Sequence, residues 1–299
     1  MKEYVIGDFQ FLLSKILKRI PISNRIKYKY NELRHKRIEN ILLPYFRTAE
    51  KNVSNQAVQK NDGPIWLFWW QGINNMPPII ERCIQSVQEN SDGRSVILVT
   101  KYNLKKYFKV PDRLIYLRQT NKISMAHFSD VIRFNLLRKY GGLWLDATIL
   151  VTKKIGSEYF SKFFTCSGYE DKDYFFVTNG NWCSFLIGGG ANHPVFQFMS
   201  AFYNAYWEKN DGLIDYFIID YALKYAWQHN LGNFKKYTLA YRDKKNPDLF
   251  NLVGLLNHKF NYQKWHKLNQ NTEMFKLTYK MHFSKEKNTF YDFIMKMDR

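Results

Sequence analysis

The sequence predicts an α/β fold built on a largely parallel, buried sheet, with a helical extension in front of it. Three observations carry that prediction. From about residue 64 onward, short apolar runs of strand length alternate with longer stretches of helical spacing. Those runs are apolar at every position rather than at alternate ones, as strands covered on both faces are. The chain of 299 residues, 45% hydrophobic and 18% aromatic, can fill a sizeable core and is too apolar for disorder.

Residues 1–60 form the predicted extension and 61–299 the α/β domain. In the extension, Phe9, Leu12, Leu13, Ile16, Leu17 and Ile20 recur at helical spacing, with Lys15, Lys18 and Arg19 on the other side. Pro21 interrupts this helix, and a second runs from about Lys27 to Leu43. Residues 48–63, polar and ending in Asn-Asp-Gly, read as a linker. Ile65–Trp70 is the first strand, and a helix follows Pro77-Pro78 through Val87. Ser95–Thr100 is the second strand, with a short helix around Leu104–Phe108, and Leu114–Tyr116 has the texture of a third. Met125–Tyr140 is a helix closed by Gly141-Gly142, and Leu143–Val151 is a further strand. The C-terminal half is rich in Tyr, Phe and Trp, less regular, and without an internal repeat.

Charge narrows the partners. The chain has 45 Lys and Arg against 26 Asp and Glu, a formal net charge of +19. Such an excess calls for nucleic acid, an anionic membrane face or a phosphorylated substrate. Residues 1–60 hold 13 of the basic residues and 5 of the acidic ones. A basic amphipathic helix of this kind either lies in a membrane interface or packs its apolar stripe on the body of the protein. No zinc-finger, helix-turn-helix or RNA-recognition signature accompanies the charge, which ranks nucleic acid last. No apolar run reaches the roughly 18 residues of a membrane span. The opening MKEYVIGDFQ lacks the layout of a secretory signal. Cys83, Cys166 and Cys183, odd in number and without CxxC spacing, read as reduced thiols in a cytosolic protein.

The segment Ser124–Thr148, SMAHFSDVIRFNLLRKYGGLWLDAT, concentrates the chemistry. Asp130 and Arg133 stand three apart on one helix face, with Phe128, Val131, Ile132 and Leu136 pointing into a core. Alone, such a pair is usually a surface ion pair. Here the helix ends at a glycine pair, and a short apolar strand then delivers Asp146 at its C-terminal end, where open α/β sheets place ligands. A carboxylate there, followed by the Thr148 hydroxyl, offers hard oxygen ligands suited to Mg²⁺ or Mn²⁺ on a diphosphate.

The pattern sDxxRxxxLxxxGGxWlDat resembles the nucleotide-sugar-binding core of glycosyltransferase family 32 and its relatives, above all the bacterial capsular polysaccharide synthesis glycosyltransferases. The aromatic strand Trp66-Leu67-Phe68-Trp69-Trp70-Gln71-Gly72, Pro77, Asn181-Trp182 and Lys276-Leu277-Thr278-Tyr279-Lys280 fit the same likeness, which covers about residues 64–285 and leaves 1–60 outside. It implies a GT-A fold, a Rossmann-like α/β domain. Asp146 then matches the first carboxylate of the Asp-x-Asp metal motif, and Thr148 stands where the second would be. That departure implies weaker metal binding, binding through water, or partial replacement by cationic side chains. Asp130 and Arg133 match groups that hydrogen-bond the donor sugar. Trp69, with Trp66 and Trp70 as alternatives, matches the base-stacking aromatic. His282 is either a third metal ligand or structural, and Lys280 and Lys285 beside it are placed to meet a departing diphosphate. Asn181 and Trp182 match a donor- or acceptor-side loop. Gly188-Gly189-Gly190 could let backbone approach the sugar, and Asp215, Tyr216 and Asp220 could touch the acceptor or be ordinary paired residues. His127, His193, His229 and His258 have no partners at metal-ligand spacing.

The resemblance implies a retaining, metal-assisted transfer of a hexose from a nucleotide-diphosphate sugar, UDP-linked by default. The implied acceptor is a growing glycan on a lipid carrier, and the implied location the inner face of the cell membrane, as a peripheral cytoplasmic protein. Mn²⁺ or Mg²⁺ is the expected cofactor and nucleic acid is not an expected partner. An inactive glycosyltransferase-like binding module, suggested by Thr148, and a nucleic-acid-binding protein, suggested by the charge, are the competing expectations.

Overall fold

The computed structural model describes residues 2–54 and 57–297, with side chains from Phe9 onward. In chain order the elements are α1 (Lys2–Arg19), α2 (Asn24–Lys51), β1 (Ile65–Phe68), α3 (Pro78–Glu89), β2 (Val96–Val99), α4 (Leu104–Tyr107), α5 (Asp112–Gln119), α6 (Met125–Tyr140), β3 (Gly142–Leu145), β4 (Ile149–Val151), β5 (Phe163–Thr165), β6 (Leu186–Gly189), α7 (Pro194–Lys209), α8 (Ile218–Gln228), α9 (Phe234–Ala240), α10 (Tyr262–Gln270), β7 (Met274–Lys276) and α11 (Phe290–Lys296). Five strands form one sheet in the order β2-β1-β3-β6-β5, and β4 and β7 form a second, two-stranded one.

β1 pairs in parallel with both β2 and β3, whereas β6 runs antiparallel to β3 and β5. Both faces of the sheet are covered. Trp66 and Phe68 of β1 enter one core with α2, α6, α7 and α8, while Ile65 and Leu67 enter a second core with α3, α10 and α11. Period-2 alternation thus splits one continuously apolar strand between two hydrophobic layers. This is the largely parallel mixed sheet flanked by helices that the sequence predicts.

The strand ends are where prediction and structure part. Leu143–Val151 is not one strand. The chain leaves the large sheet after Leu145, turns through Asp146–Thr148 with the Ile149 amide donating to the Asp146 carbonyl at 2.9 Å, and pairs again as β4 with β7. Leu114–Tyr116 is helical, inside α5, because burial of Leu114 and Leu117 three apart matches a helix face and Pro111 caps its start. α2 is longer than the periodicity implied, running through Pro44 to Lys51, so the first residues of the expected linker are helix. β5, β6 and β7 were not foreseen; each has at most four residues. At the α6–β3 junction Gly142 has φ of +101°, and a Cβ there would come 2.1 Å from the Pro64 carbonyl oxygen, so only glycine lets β1 and β3 meet.

The extension is joined to the body. α2 buries Ile38, Leu42, Phe46 and Ala49 in the first core, with the Phe46 ring against Phe198, Phe202 and Tyr225. α1 docks through Phe11 and Ser14, the serine donating to Asn31 of α2. Of its predicted apolar stripe, Phe9, Leu12, Ile16 and Ile20 are exposed, and Leu13 and Leu17 are half-buried. None of the helices among the described residues is long and apolar enough to cross a membrane. The three cysteines are free and buried.

Candidate functional site

A cavity of about 1020 Å³ opens at the C-terminal ends of β1 and β3. Its size is at the upper end of the range for small-molecule sites, and its place is where α/β sheets bind ligands. Trp69 and Trp70 follow β1 into it, Asp146 to Thr148 follow β3, and Asp130 and Arg133 reach it from α6.

At its floor one carboxylate, Asp146, is held by two cations, Arg133 of the lining and Lys276 outside it. Arg133 donates from Nη2 to Asp146 Oδ1 at 3.0 Å and from Nη1 to the Ser184 carbonyl at 2.9 Å. Trp144 donates from Nε1 to the same Oδ1 at 3.0 Å, and its ring lies 4.9 Å beneath the guanidinium. Lys276 donates from Nζ to Asp146 Oδ2 at 2.8 Å. Local structure explains the convergence. β4 and β7 pair with Ile149 opposite Lys276, and the Leu277 amide donates to the Thr148 carbonyl at 2.8 Å, which draws Lys276 back to the turn that carries Asp146. Burial pushes the Asp146 carboxyl up, but Lys276 and Arg133 outweigh it and hold the group below its ordinary value. Asp130 shifts the other way: burial raises it, against the pull of Arg133 at 3.3 Å. The helix face carrying this pair is buried, not solvated.

A second carboxylate lies across the cavity. Asp220, on α8, accepts from Trp182 Nε1 at 3.0 Å. Burial pushes it up to about 7, with the Trp182 hydrogen bond opposing and Asp130 reinforcing. Between its ordinary value near 3.8 and about 7, the folded chain keeps a proton that the unfolded chain has released. This group's contribution to stability is therefore present at low pH, falls as pH rises through that window and is level above it. Asp220→Asn, which keeps an oxygen for Trp182, is expected to remove the slope and to raise stability at pH 8 by on the order of 2–4 kcal/mol, with no gain near pH 4. Urea unfolding at both pH values checks this; an unchanged slope in the variant would assign the titration elsewhere.

The predicted residues divide clearly. Asp130, Arg133, Asp146, Thr148, Trp69, Trp70, Trp182 and Lys280 all line the cavity. Trp66 does not: it is a core residue whose indole donates to the Gly141 carbonyl at 2.9 Å, because alternation along β1 turns it under the sheet. Asn181 is turned away, its amide donating to the Thr178 carbonyl and accepting from Arg242. His282 and Lys285 are exposed and outside the lining, since the chain after Lys280 runs off along the surface, where the His282 carbonyl accepts from Asn257. Gly188 to Gly190 abut backbone rather than the cavity; a Cβ on Gly190 would sit 1.9 Å from the Gln59 carbonyl oxygen. Of the candidate acceptor contacts, Tyr216 and Asp220 line the cavity, whereas Asp215 is buried against Arg34. Lys276 was missed as a site residue. Its segment was noticed, yet nothing in the spacing ties it to a carboxylate 130 positions earlier.

The donor set does not fit a divalent ion. Among the described residues no three His, Cys, Asp or Glu side chains gather to hold a metal. Both Asp146 oxygens already face a cation, and His282 lies outside the cavity lining. An ion at Asp146 would be repelled by both Arg133 and Lys276, at about 4 kcal/mol for each pair of unit charges 4 Å apart near a protein surface.

Fold and site together define an α/β protein with a ligand cavity at the carboxyl ends of its strands, with Asp130, Arg133 and Asp146 in its lining and aromatic side chains at its walls. The chain belongs to the capsular polysaccharide synthesis protein family, whose sequence model matches residues 18–294. That range takes in α2, so most of the extension, which the resemblance over 64–285 left outside, is shared by the family. The uncharacterized glycosyltransferase L373 of Acanthamoeba polyphaga mimivirus is 24% identical over 145 residues, 48% of this chain and 55% of that protein. The chain thus spans about half the length of this curated relative. Among solved structures, the PaToxG glycosyltransferase aligns over 80% of this chain and 95% of that one, at 15% identity and a TM-score of 0.38.

Proposed function

We propose that the protein is a retaining glycosyltransferase, similar to family 32, that moves a hexose from a nucleotide-diphosphate sugar, UDP-linked by default, to a growing glycan on a lipid carrier. Capsular or other cell-surface polysaccharide is the product class. The observation that carries this reading is Asp146 at the end of β3, paired with Arg133 and Lys276 and lining, with Arg133, a cavity walled by Trp69 and Trp70. Family membership supports it. Fixed cations stabilise the negative charge that develops on a leaving diphosphate, and an indole face stacks on any base.

In the reaction, the bond from the anomeric carbon to the phosphate oxygen breaks and its electron pair leaves with the diphosphate. The acceptor hydroxyl oxygen bonds to the same carbon from the same face, and its proton passes to the leaving phosphate. Asp130 holds the sugar hydroxyls in the required orientation. The exposed stripe Phe9, Leu12, Ile16 and Ile20, flanked by Lys15 and Arg19, supports peripheral binding to the anionic inner face of the cell membrane from the cytoplasm. Phe11, on the docked face of the same helix, stacks on Tyr216, which lines the cavity, so α1 lies beside the cavity with its apolar stripe facing outward.

A thermal-shift panel of UDP, GDP, CDP and their sugar conjugates, with and without Mn²⁺, tests the reading. One nucleotide series is expected to raise the melting temperature by mass action. No shift with any of them counts against a donor site, and a shift without turnover on any lipid-linked acceptor favours an inactive binding module. Deleting residues 1–20 is expected to release the protein from anionic vesicles; unchanged sedimentation with vesicles would remove α1 from the membrane contact.

A further inference from the structure

Asp146 is placed as a metal ligand would be, but both of its oxygens already face cations. Lys276 is held in register by β-pairing on one side, and on the other its own amide donates to the Leu249 carbonyl at 2.7 Å. Its ammonium lies over the Phe185 ring at 4.4 Å and against Asp146 Oδ2 at 2.8 Å. Arg133 is fixed by the Ser184 carbonyl, by Asp130 and by Asp146. Arg133 and Lys276 therefore share Asp146 between them, and Asp130 is a second carboxylate on Arg133. Thr148, at the second position of the motif, adds no negative charge that would draw in a divalent ion.

We propose that Lys276, with Arg133, binds the diphosphate of the donor directly in place of a divalent ion, and that Asp146 positions these two cations rather than ligating metal. The proposal rests on the glycosyltransferase reading and deepens it: the substrate class is a metal-free nucleoside diphosphate sugar. A lysine ammonium is a compact point charge and an arginine a planar fork, so the pair can meet one phosphate each. Because both are anchored before the ligand arrives, little reorganisation accompanies binding.

Calorimetric titration tests this with UDP, GDP and CDP, and with the matching bare nucleosides, first in EDTA and then in excess Mn²⁺ or Mg²⁺. The nucleoside diphosphate that binds is expected to do so in EDTA with an affinity within about threefold of that in metal, a difference under 1 kcal/mol. Lys276→Met is expected to weaken it at least about tenfold while leaving the nucleoside unchanged, since hydrogen bonds to charged groups are worth roughly 1.5–3 kcal/mol. Lys276→Arg is expected to recover most of the loss. Binding that appears only with a divalent ion overturns the proposal and leaves the glycosyltransferase reading standing. So does Lys276→Met binding as the wild type does. No binding of any nucleoside diphosphate in either condition overturns both. The wild-type titration in EDTA decides the matter even if Lys276→Met does not fold.

Discussion

Asp146→Ala is expected to lower turnover by about 10²–10³-fold while the chain still folds. The carboxylate is the common partner of Arg133 Nη2 at 3.0 Å and Lys276 Nζ at 2.8 Å. Without it the two cations repel each other and Lys276 swings away from Arg133, so the charge on the leaving diphosphate loses a fixed counterpart. The structural cost is smaller. Arg133 keeps the Ser184 carbonyl and Asp130, and the Lys276 side chain, 22% exposed, can turn to water. The Trp144 indole loses its acceptor, which together with the broken ion pairs is expected to cost about 2–3 kcal/mol. Turnover under saturating donor and urea unfolding separate the two effects. Substantial remaining turnover would take Asp146 out of the reacting centre.

Arg34→Ala is expected to be the most destabilising substitution considered, by about 3–5 kcal/mol. Arg34 of α2 lies 3.6 Å from Asp215, and both side chains are wholly buried. Its guanidinium sits among Phe11, Phe217 and Phe175, at 5.3, 5.8 and 6.0 Å from their centroids. Truncation leaves the Asp215 charge in that aromatic setting without its nearest cation. The effect should reach the cavity wall, because Asp215 Oδ1 also accepts from the Phe217 amide at 2.8 Å and thereby sets the turn before α8. The double change Arg34→Met with Asp215→Asn is expected to cost less than Arg34→Ala alone, since it removes the stranded charge as well as the pair. Chemical denaturation of the three proteins checks this. A loss under about 1 kcal/mol for Arg34→Ala would mean that water reaches Asp215 once the arginine is gone.

Most of the first half of the fold was legible because its signals are local. Ile65–Phe68 and Val96–Val99 are apolar runs of the right length, and Met125–Tyr140 carries its own N-cap serine and C-terminal glycine. Local signals also misled. Leu114–Tyr116 is apolar enough for a strand, but helix and strand cannot be told apart in three residues, and burial of Leu117 decides. Phe9, Leu12, Ile16 and Ile20 form a clear stripe, yet periodicity does not say whether a stripe meets protein or solvent.

The residues 124–148 by themselves specified a helix carrying Asp130 and Arg133, a glycine break and a strand ending at Asp146, because each of those choices is made by neighbours within a few positions. They also specified that the cavity would lie there. What surrounds Asp146 depended on pairing between distant segments. Lys276 arrives through the β4–β7 register, Trp66 goes under the sheet by alternation, and Asp220 faces the cavity through Trp182. A hydrogen-bonded register and a closed hydrophobic layer exist only when the whole chain is folded, so no short window of sequence contains them. That is why the carboxylate could be named from the sequence, while its two cationic partners could be recognised together only in three dimensions.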